Sequence, residues 1–308
     1  RPRATTVRQV ALDTIASVRA ALLASRDSPL GGGSTRRLPA YPAVGGGWSG
    51  RQAGADPPAA GSAQGELRPS SYPKRFWSCP GEAGFRIRGP TYLEDKVKVA
   101  AGQPRFELCR VELFESDAPN DKEDVASRLH YVVEDPEHFF YVANLLLPGP
   151  PHLCLAVVFR SPAGYDPTPR SPRGPFETSL NSYSNGTDAD RNDTFKLIPK
   201  VVEGSWIIQK SVGSQPCLLG RKLRQAYYRG ANYIETDIDI ASSSVAAAVV
   251  RLVASATKTV VVDLAFMCEG QTKGTLPEAL LGTVRLNRID LGVTQPLPDV
   301  VLRREGSE

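Results

Sequence analysis

The chain has 308 residues, a net charge of +4 and a hydrophobic content of 41%, which fits one large or two small soluble domains. Its five cysteines are widely spaced and include no CxxC pair, which argues against a disulfide framework or a zinc site and favours reduced thiols in a cytosolic setting. No uninterrupted apolar run is long enough to cross a membrane.

The positive charge lies in the N-terminal segment 1–70. This segment has nine Arg and no Lys against four acidic residues, a net charge of +5, so the remaining residues sum to −1. A nucleic-acid-binding domain carries its positive charge on the fold itself. We therefore expect no nucleic-acid partner.

Segment 1–70 is predicted to be largely disordered, with a short helix at 5–26. Apolar residues recur there at helical spacing, and the helix either touches an anionic membrane or a partner, or packs on the folded domain. Residues 27–70 are rich in Gly, Pro, Ala and Ser. Such a composition buries too little apolar surface to offset the entropy of ordering.

A folded domain is predicted over residues 71–298, followed by a tail at 299–308. Alternating or apolar runs predict strands at 85–89, 106–114, 138–145 and 153–159, and a Pro/Gly turn joins the last two as a hairpin. Residues 161–194 hold five prolines and many Ser, Asn and Asp. They predict a long flexible loop, either disordered or functional.

The second half of the domain predicts further strands and two helices. Strands are expected at 205–212, at 227–240 with a bend near Gly230, and at 260–266 in the centre of a sheet. A helix capped by Ser242 or Ser243 should run to about 256, buried against a sheet.

A last helix is expected near the C-terminus. Thr275 and Glu278 have the spacing of a capping box, and Pro277 suits a first helical turn, so this helix should run to about 286. The whole pattern predicts an α+β fold, in which a mostly antiparallel sheet is packed by two or three helices, the main ones near the C-terminus.

An acidic strand is the first candidate site. Glu235, Asp237 and Asp239 alternate with apolar residues, so all three carboxylates should share one face. They could bind a divalent cation with help from elsewhere. The favoured alternative is a solvent-facing strand or a salt-bridge ladder with Arg221, Lys222, Arg224 and Arg229.

Asp263 is the second candidate. It lies inside an otherwise apolar strand, and a buried carboxylate must be paired, hydrogen-bonded or neutral. It marks either a functional group or a structural anchor that receives a backbone or arginine hydrogen bond.

A basic, aromatic segment is the third candidate, for a lipid headgroup site. Cations interspersed with amphipathic aromatic residues are typical of a membrane interface. The alternative is ordinary strand decoration with the tryptophan in the core. The candidate residues are Lys196, Lys200, Trp206, Lys210, Arg221, Lys222 and Arg224, followed by Tyr227 and Tyr228.

Motifs for catalysis are missing from the sequence. It has no GxSxG, GxGxxG or Walker A loop, and its three histidines follow no metal-ligand spacing. No catalytic residue, metal or cofactor is predicted.

Several long blocks occur in an order that resembles a known family. The blocks are Phe85–Gly89, Tyr92–Lys98, Phe195–Pro199, Glu203–Trp206, Cys217–Gly220, Gly230–Ile240, Val262–Phe266 and Leu276–Gly282. They resemble the C-terminal domain of the plant and algal "enhanced disease resistance 2" proteins, a domain of unknown function, over roughly residues 72–297. One departure is Gly204-Ser205-Trp206, where the family commonly has Gly-Pro-Trp.

In the larger plant proteins, this domain follows a pleckstrin-homology domain and a START lipid-transfer domain. Those proteins are negative regulators of defence and cell death. Because the domain accompanies these two domains, the resemblance implies work at membranes by association. The leading hypothesis is a non-enzymatic regulatory domain that binds lipid or an anionic membrane, located in the cytoplasm or peripherally on endomembranes. The alternatives are a protein-interaction scaffold and a metal-dependent enzyme that uses the acidic strand Glu235–Asp239.

Overall fold

The computed structural model describes residues 72–118, 121–167, 174–255 and 257–301, without the side chains of residues 245, 252, 253, 255 and 257. The predicted segment 1–70, with its helix at 5–26, lies outside the described residues, as does most of the predicted tail.

The described residues form the predicted α+β fold, with two main sheets packed on each other where the sequence predicts one sheet packed by helices. The strands are β1 (Trp77–Ser78), β2 (Arg86–Arg88), β3 (Lys98–Ala100), β4 (Glu107–Ser116), β5 (Phe140–Leu146), β6 (His152–Arg160), β7 (Phe195–Glu203), β8 (Cys217–Leu218), β9 (Arg224–Arg229), β10 (Tyr233–Asp239), β11 (Val261–Cys268), β12 (Gly282–Asn287) and β13 (Gln295–Pro296). The helices are α1 (Tyr92–Asp95), α2 (His130–Val133), α3 (Pro175–Asn185), α4 (Asp188–Thr194), α5 (Trp206–Val212) and α6 (Ser244–Ser255).

The strands form a five-stranded sheet, a six-stranded sheet and a small hairpin. The five-stranded sheet has the order β1-β12-β11-β7-β8, the six-stranded sheet has the order β13-β4-β6-β5-β10-β9, and β2 pairs with β3. Pairing is antiparallel except for β5 with β10 and β4 with β13. The predicted central strand is β11, which lies between β12 and β7.

Aromatic rings fill the space between the two sheets. Phe195 and Phe266 stack with ring centroids 6.1 Å apart, and Phe159 and Tyr141 pack against them at 5.7 and 5.8 Å. All four side chains are fully buried. The core is therefore packed with side chains rather than hollow.

Each sheet is also covered on its outer face. Residues 121–135 cover the six-stranded sheet through Val125, Ala126 and Val132, whereas the β2–β3 hairpin covers the five-stranded sheet. Burial on both faces explains why β5 and β6 are continuous apolar runs rather than alternating ones.

The predicted loop 161–194 is wrong over its second half, which forms α3 and α4. Phe176, Leu180 and Tyr183 are spaced for one helical face, and all three are buried. Thr187 and Asp190 form a capping box at the start of α4. The prediction relied on the number of prolines and polar residues, so it overlooked both the helical spacing and the capping box.

The predicted strand 205–212 is also wrong, because the segment is helix α5. Ser205 caps the helix by accepting a hydrogen bond from the Ile208 amide at 3.4 Å. Gly204 has φ +155°, which favours glycine and turns the chain out of β7. The apolar pair Ile207-Ile208 favoured a strand, but Gly-Ser ahead of it marked a helix start.

The single strand predicted over 227–240 is two antiparallel strands, β9 and β10. A Cβ at Gly230 would lie 2.1 Å from the Tyr233 ring. Only glycine allows this close approach, and the chain reverses there instead of bending within one strand.

The last predicted helix, 277–286, is absent, and β12 occupies residues 282–287. The Thr275 hydroxyl accepts hydrogen bonds from the Gln271 and Thr272 amides, so it caps the preceding turn. The Glu278 carboxylate does not cap a helix; it accepts hydrogen bonds from the Arg88 and Gly270 amides.

Helix α6 is confirmed at 244–255, where the Ser243 hydroxyl accepts a hydrogen bond from the Ala246 amide at 3.3 Å. Its predicted burial is confirmed in part. Among its described side chains Ala247 is buried, Ala246 and Val250 are half-buried and pack against the core between the sheets, and the helix also packs beside α5.

Candidate functional site

The structure disperses the predicted basic cluster. Lys196 is buried, and its ammonium pairs with Glu278 and lies 3.7 Å from a Glu269 carboxylate oxygen. Burial lowers the pKa of Lys196, and the charge of Glu278 partly offsets this effect. Lys196 therefore cannot meet a lipid headgroup in this fold.

Four more of the predicted cations are either bonded to other groups of the fold or half-buried. The Lys200 ammonium donates to the Ala83 carbonyl, Arg221 pairs with Asp193, Arg224 pairs with Asp239, and Lys222 is half-buried at the end of a short 3₁₀ turn. The Tyr227 and Tyr228 hydroxyls donate to Asn192 and Glu123, both at 2.8 Å.

Trp206 and Lys210 are the pair that stays together on the surface. The Trp206 side chain is 54% exposed, and the Lys210 ammonium lies 5.1 Å from the centre of its ring. Ile208 faces the opposite side of α5 and is buried. The alternative that places Trp206 in the core is therefore wrong.

Further exposed groups lie at the same end of the five-stranded sheet as α5, where β7 ends, β11 begins and β12 ends. Val202, at the end of β7, is 38% exposed. Lys258 is exposed just before β11 begins, and Arg288 follows β12 and pairs with Glu203. We call this the α5 end: Val202, Trp206, Lys210, Lys258 and Arg288.

The acidic strand is not a solvent face, and of the predicted salt-bridge ladder it forms the pair of Asp239 with Arg224. Glu235 and Asp237 are at most 1% exposed, and they lie beneath residues 121–135. Glu235 accepts hydrogen bonds from the Val125 amide at 2.9 Å and the Ala126 amide at 2.5 Å.

Asp237 is held differently from Glu235. One of its oxygens accepts from the Asn144 amide nitrogen at 2.9 Å, and the other lies 3.3 Å from the Asp124 backbone nitrogen. Burial, followed by the adjacent Glu235, raises the pKa of Asp237 well above its ordinary value, and burial also raises that of Glu235.

The third acidic residue of this strand is separate from the other two. Asp239 pairs with Arg224 and caps the turn at Ser242. An active site on Asp237 and Asp239 would need both carboxylates to reach one metal ion, but the first is sealed beneath the covering segment. In the described part of the chain, no three or more His, Cys, Asp or Glu residues are grouped to hold a metal ion.

Asp263 has an arginine partner. Its two carboxylate oxygens accept from the Nε and Nη2 atoms of Arg285 at 2.7 and 2.9 Å, and the two residues are register partners on β11 and β12. The bond to Asp263 raises the pKa of Arg285. This geometry is that of the structural anchor weighed from the sequence.

One surface depression has a volume of about 340 Å³ and is lined by Gly102, Gln103, Arg105, Glu278, Ala279 and Leu280. Its lining mixes polar and apolar residues, and it is open to solvent. None of the described helices is long and apolar enough to cross a membrane.

Residues 77–290 match the family model of Protein ENHANCED DISEASE RESISTANCE 2, C-terminal. This chain belongs to that family. An Arabidopsis thaliana protein described as "Protein ENHANCED DISEASE RESISTANCE 2-like" is 34% identical over 222 residues, which are 71% of this chain but 29% of that protein. The chain thus spans less than a third of this relative's length, and no solved structure matches it.

Sequence reasoning missed two polar groups of this enhanced disease resistance 2 C-terminal domain. Asn144 is fully buried and contacts both carboxyl groups of the acidic strand. Its position as a polar side chain within an apolar run could have identified it from the sequence.

Glu278 was missed because its spacing from Thr275 indicated a capping box. In the fold it bonds to the backbone amides of Arg88 and Gly270 and to the Lys196 ammonium. No local pattern connects residues so far apart in the chain.

Proposed function

We propose that this chain is a non-enzymatic regulatory domain that associates with anionic membrane surfaces through its α5 end. The observation that carries the proposal is Trp206, an aromatic side chain more than half exposed with a lysine ammonium beside its ring. Tryptophan is favoured at membrane interfaces because its ring is apolar and its N–H can stay in water.

The charge at the α5 end fits the same partner. Lys210 and Lys258 are exposed there, and Arg288 is balanced by Glu203. Cations near an anionic leaflet each contribute roughly 1 kcal/mol of attraction. Val202 adds apolar surface beside the tryptophan.

Buried charges support a regulatory rather than an enzymatic role. Glu278 has Lys196, Asp263 has Arg285, and the carboxyl groups of the acidic strand are sealed beneath residues 121–135. Each of these acids is bonded to other groups of the fold.

Vesicle flotation of the full chain tests the proposal. The chain should float with phosphatidylcholine vesicles that contain phosphatidylserine, and much less with phosphatidylcholine alone. Trp206→Ser should weaken binding about tenfold, because an aromatic side chain loses roughly 1.5 kcal/mol or more when it cannot be buried. The charged segment 1–70 is the same in every variant, so it cancels from the comparison.

Val97→Ser is the matched control. The exposed fraction of Val97, 52%, is similar to the 54% of Trp206, but Val97 lies elsewhere in the fold, just after α1. Lys273, which pairs with Glu94 of α1, follows the C-terminal end of β11, whereas the α5 end lies at the start of that strand. Equal losses for both substitutions, or none for Trp206→Ser, would exclude the α5 end as the membrane surface.

A protein-interaction scaffold is the second candidate. The observation that favours it is an exposed apolar pair at α1, where Leu93 is 36% exposed and Val97 is 52% exposed. A partner that is captured in detergent and lost with Val97→Asp, while vesicle binding is unchanged, would favour this alternative.

A further inference from the structure

Residues 121–135, which we call the strap, are held on the six-stranded sheet by polar bonds as well as by apolar packing. The Tyr228 hydroxyl donates to Glu123 at 2.8 Å, and the Tyr233 hydroxyl donates to Asp124 at 3.1 Å. At the other end of the strap, the Asn232 side chain donates to the Val132 and Asp135 carbonyls.

At its centre, the strap rests on Glu235. The Val125 and Ala126 amides begin a 3₁₀ turn and have no partner within it. The Val125 amide donates to Oε1 of Glu235, and the Ala126 amide donates to Oε2. Both carboxyl oxygens accept a bond from a backbone amide, and such bonds favour the ionised form of Glu235.

Asp237 lies two residues further along the same face, and the Asn144 side-chain nitrogen donates to one oxygen of each acid, at 3.1 Å to Glu235 and 2.9 Å to Asp237. Two buried carboxyl groups held this close repel each other unless one of them carries a proton, which it can donate to the other. Since Glu235 accepts from two amides, the proton belongs on Asp237, whose bond from the Asp124 amide is long at 3.3 Å.

No cation in the described residues forms an ion pair with either acid. The Lys122 ammonium donates to the Leu147 and Leu153 carbonyls, and Arg128 donates to the Pro298 carbonyl. The titratable and charged groups that face the pair are Lys122, Glu123, Asp124 and Arg128 from the strap and Glu112, Cys154, Tyr228 and Tyr233 from the sheet.

We propose that Asp237 carries a proton that it donates to the Glu235 carboxylate, and that this proton latches the strap onto the sheet. Loss of the proton places two carboxylates side by side in a buried site next to Asp124. Their repulsion releases the strap and exposes the apolar face of Phe140, Val142 and Val158, which it covers.

The direction of the pH dependence follows from the raised pKa of Asp237. A carboxyl group with a raised folded pKa stabilises the closed form below its ordinary pKa, and this stabilisation is lost as the pH rises through the folded value. The strap should therefore be closed in acid and loosen towards alkaline pH.

Hydrogen exchange of the full chain, corrected for the intrinsic effect of pH, tests the latch. Protection of the Val125 and Ala126 amides should be constant at low pH and then fall about tenfold per pH unit, because opening releases one proton. Amides of β11 in the same protein serve as the internal reference. Constant protection of the strap over the whole range of the fold's stability would overturn the proposal.

Two substitutions separate the latch from ordinary packing. Asp237→Asn mimics the protonated acid, since its amide can donate to Glu235, so strap protection should no longer depend on pH. Glu235→Gln places an amide group against the two backbone donors and should lower protection at every pH. A pH-dependent loss in Asp237→Asn that matches the unsubstituted chain would overturn the assignment.

Infrared spectroscopy of the unsubstituted chain gives a measurement that does not depend on either variant folding. The carbonyl stretch of a protonated carboxylic acid should persist well above the pH at which exposed carboxyl groups ionise. It should disappear over the same pH interval in which the strap opens. Absence of this band at every pH above that at which exposed carboxyl groups ionise would overturn the proposal.

Discussion

The outer faces of the two sheets bury acidic groups in opposite ways. On the five-stranded sheet, Glu278 and Asp263 each have a cation, namely Lys196 and Arg285. On the six-stranded sheet, Glu235 and Asp237 have backbone amides, an asparagine and each other. In the first arrangement each acid faces a cation, whereas in the second two acids lie together and no cation of the described residues forms an ion pair with either.

The comparison teaches that burial of an acid does not by itself indicate chemistry. In sequence, Asp237 and Asp263 look alike, because both lie within β-strands with β-branched or apolar neighbours. The group that the fold places opposite each of them decides whether it is an anchor or a titratable latch.

The largest expected effect comes from breaking the buried ion pair. Lys196→Met should lower the free energy of unfolding by about 3–5 kcal/mol, because Glu278 would remain buried without its main cation. Urea denaturation measures this loss. The double substitution Lys196→Met with Glu278→Leu should recover part of it, and a loss below about 1 kcal/mol in the single variant would contradict the ion-pair assignment.

Breaking the second ion pair should cost less. Asp263→Asn leaves one hydrogen bond to Arg285, whose side chain is 36% exposed and can be solvated. The expected loss is about 1–3 kcal/mol by urea denaturation. Thr283→Val, on the same face of the neighbouring strand, removes the hydrogen bond from the Thr283 hydroxyl to the Gly81 carbonyl and is a control for the loss of one neutral hydrogen bond. A loss as large as that of Lys196→Met would mean that exposure of the cation does not matter.

Removing the titrating group from the six-stranded sheet should have the opposite sign. The raised folded pKa of Asp237 means that the unsubstituted chain loses stability as the pH rises above the ordinary value of 3.8. Asp237→Asn does not titrate, so its stability relative to the unsubstituted chain should rise by up to about 1.4 kcal/mol per pH unit in that window. Urea denaturation at several pH values checks this trend, and a constant difference would show that Asp237 is not protonated in the fold.

Several elements were predictable because their signals lie within a few residues of each other. The strands at 85–89, 106–114, 138–145, 153–159 and 260–266, the hairpin between β5 and β6, and helix α6 follow from local periodicity and turn residues. The errors at 205–212 and 277–286 arose where apolar residues or a capping pattern outweighed the contacts that these segments make in the fold.

The sequence by itself determined the family, the α+β class and the mostly antiparallel pairing, because blocks of residues and periods of two or about four are local properties. Only the tertiary structure decided which charges are buried and what they meet. Lys196 bonds to Glu278 and Glu235 bonds to Val125 across 82 and 110 residues of chain. Burial and pKa depend on these distant neighbours, so a single strand's pattern cannot distinguish a surface site from a sealed one.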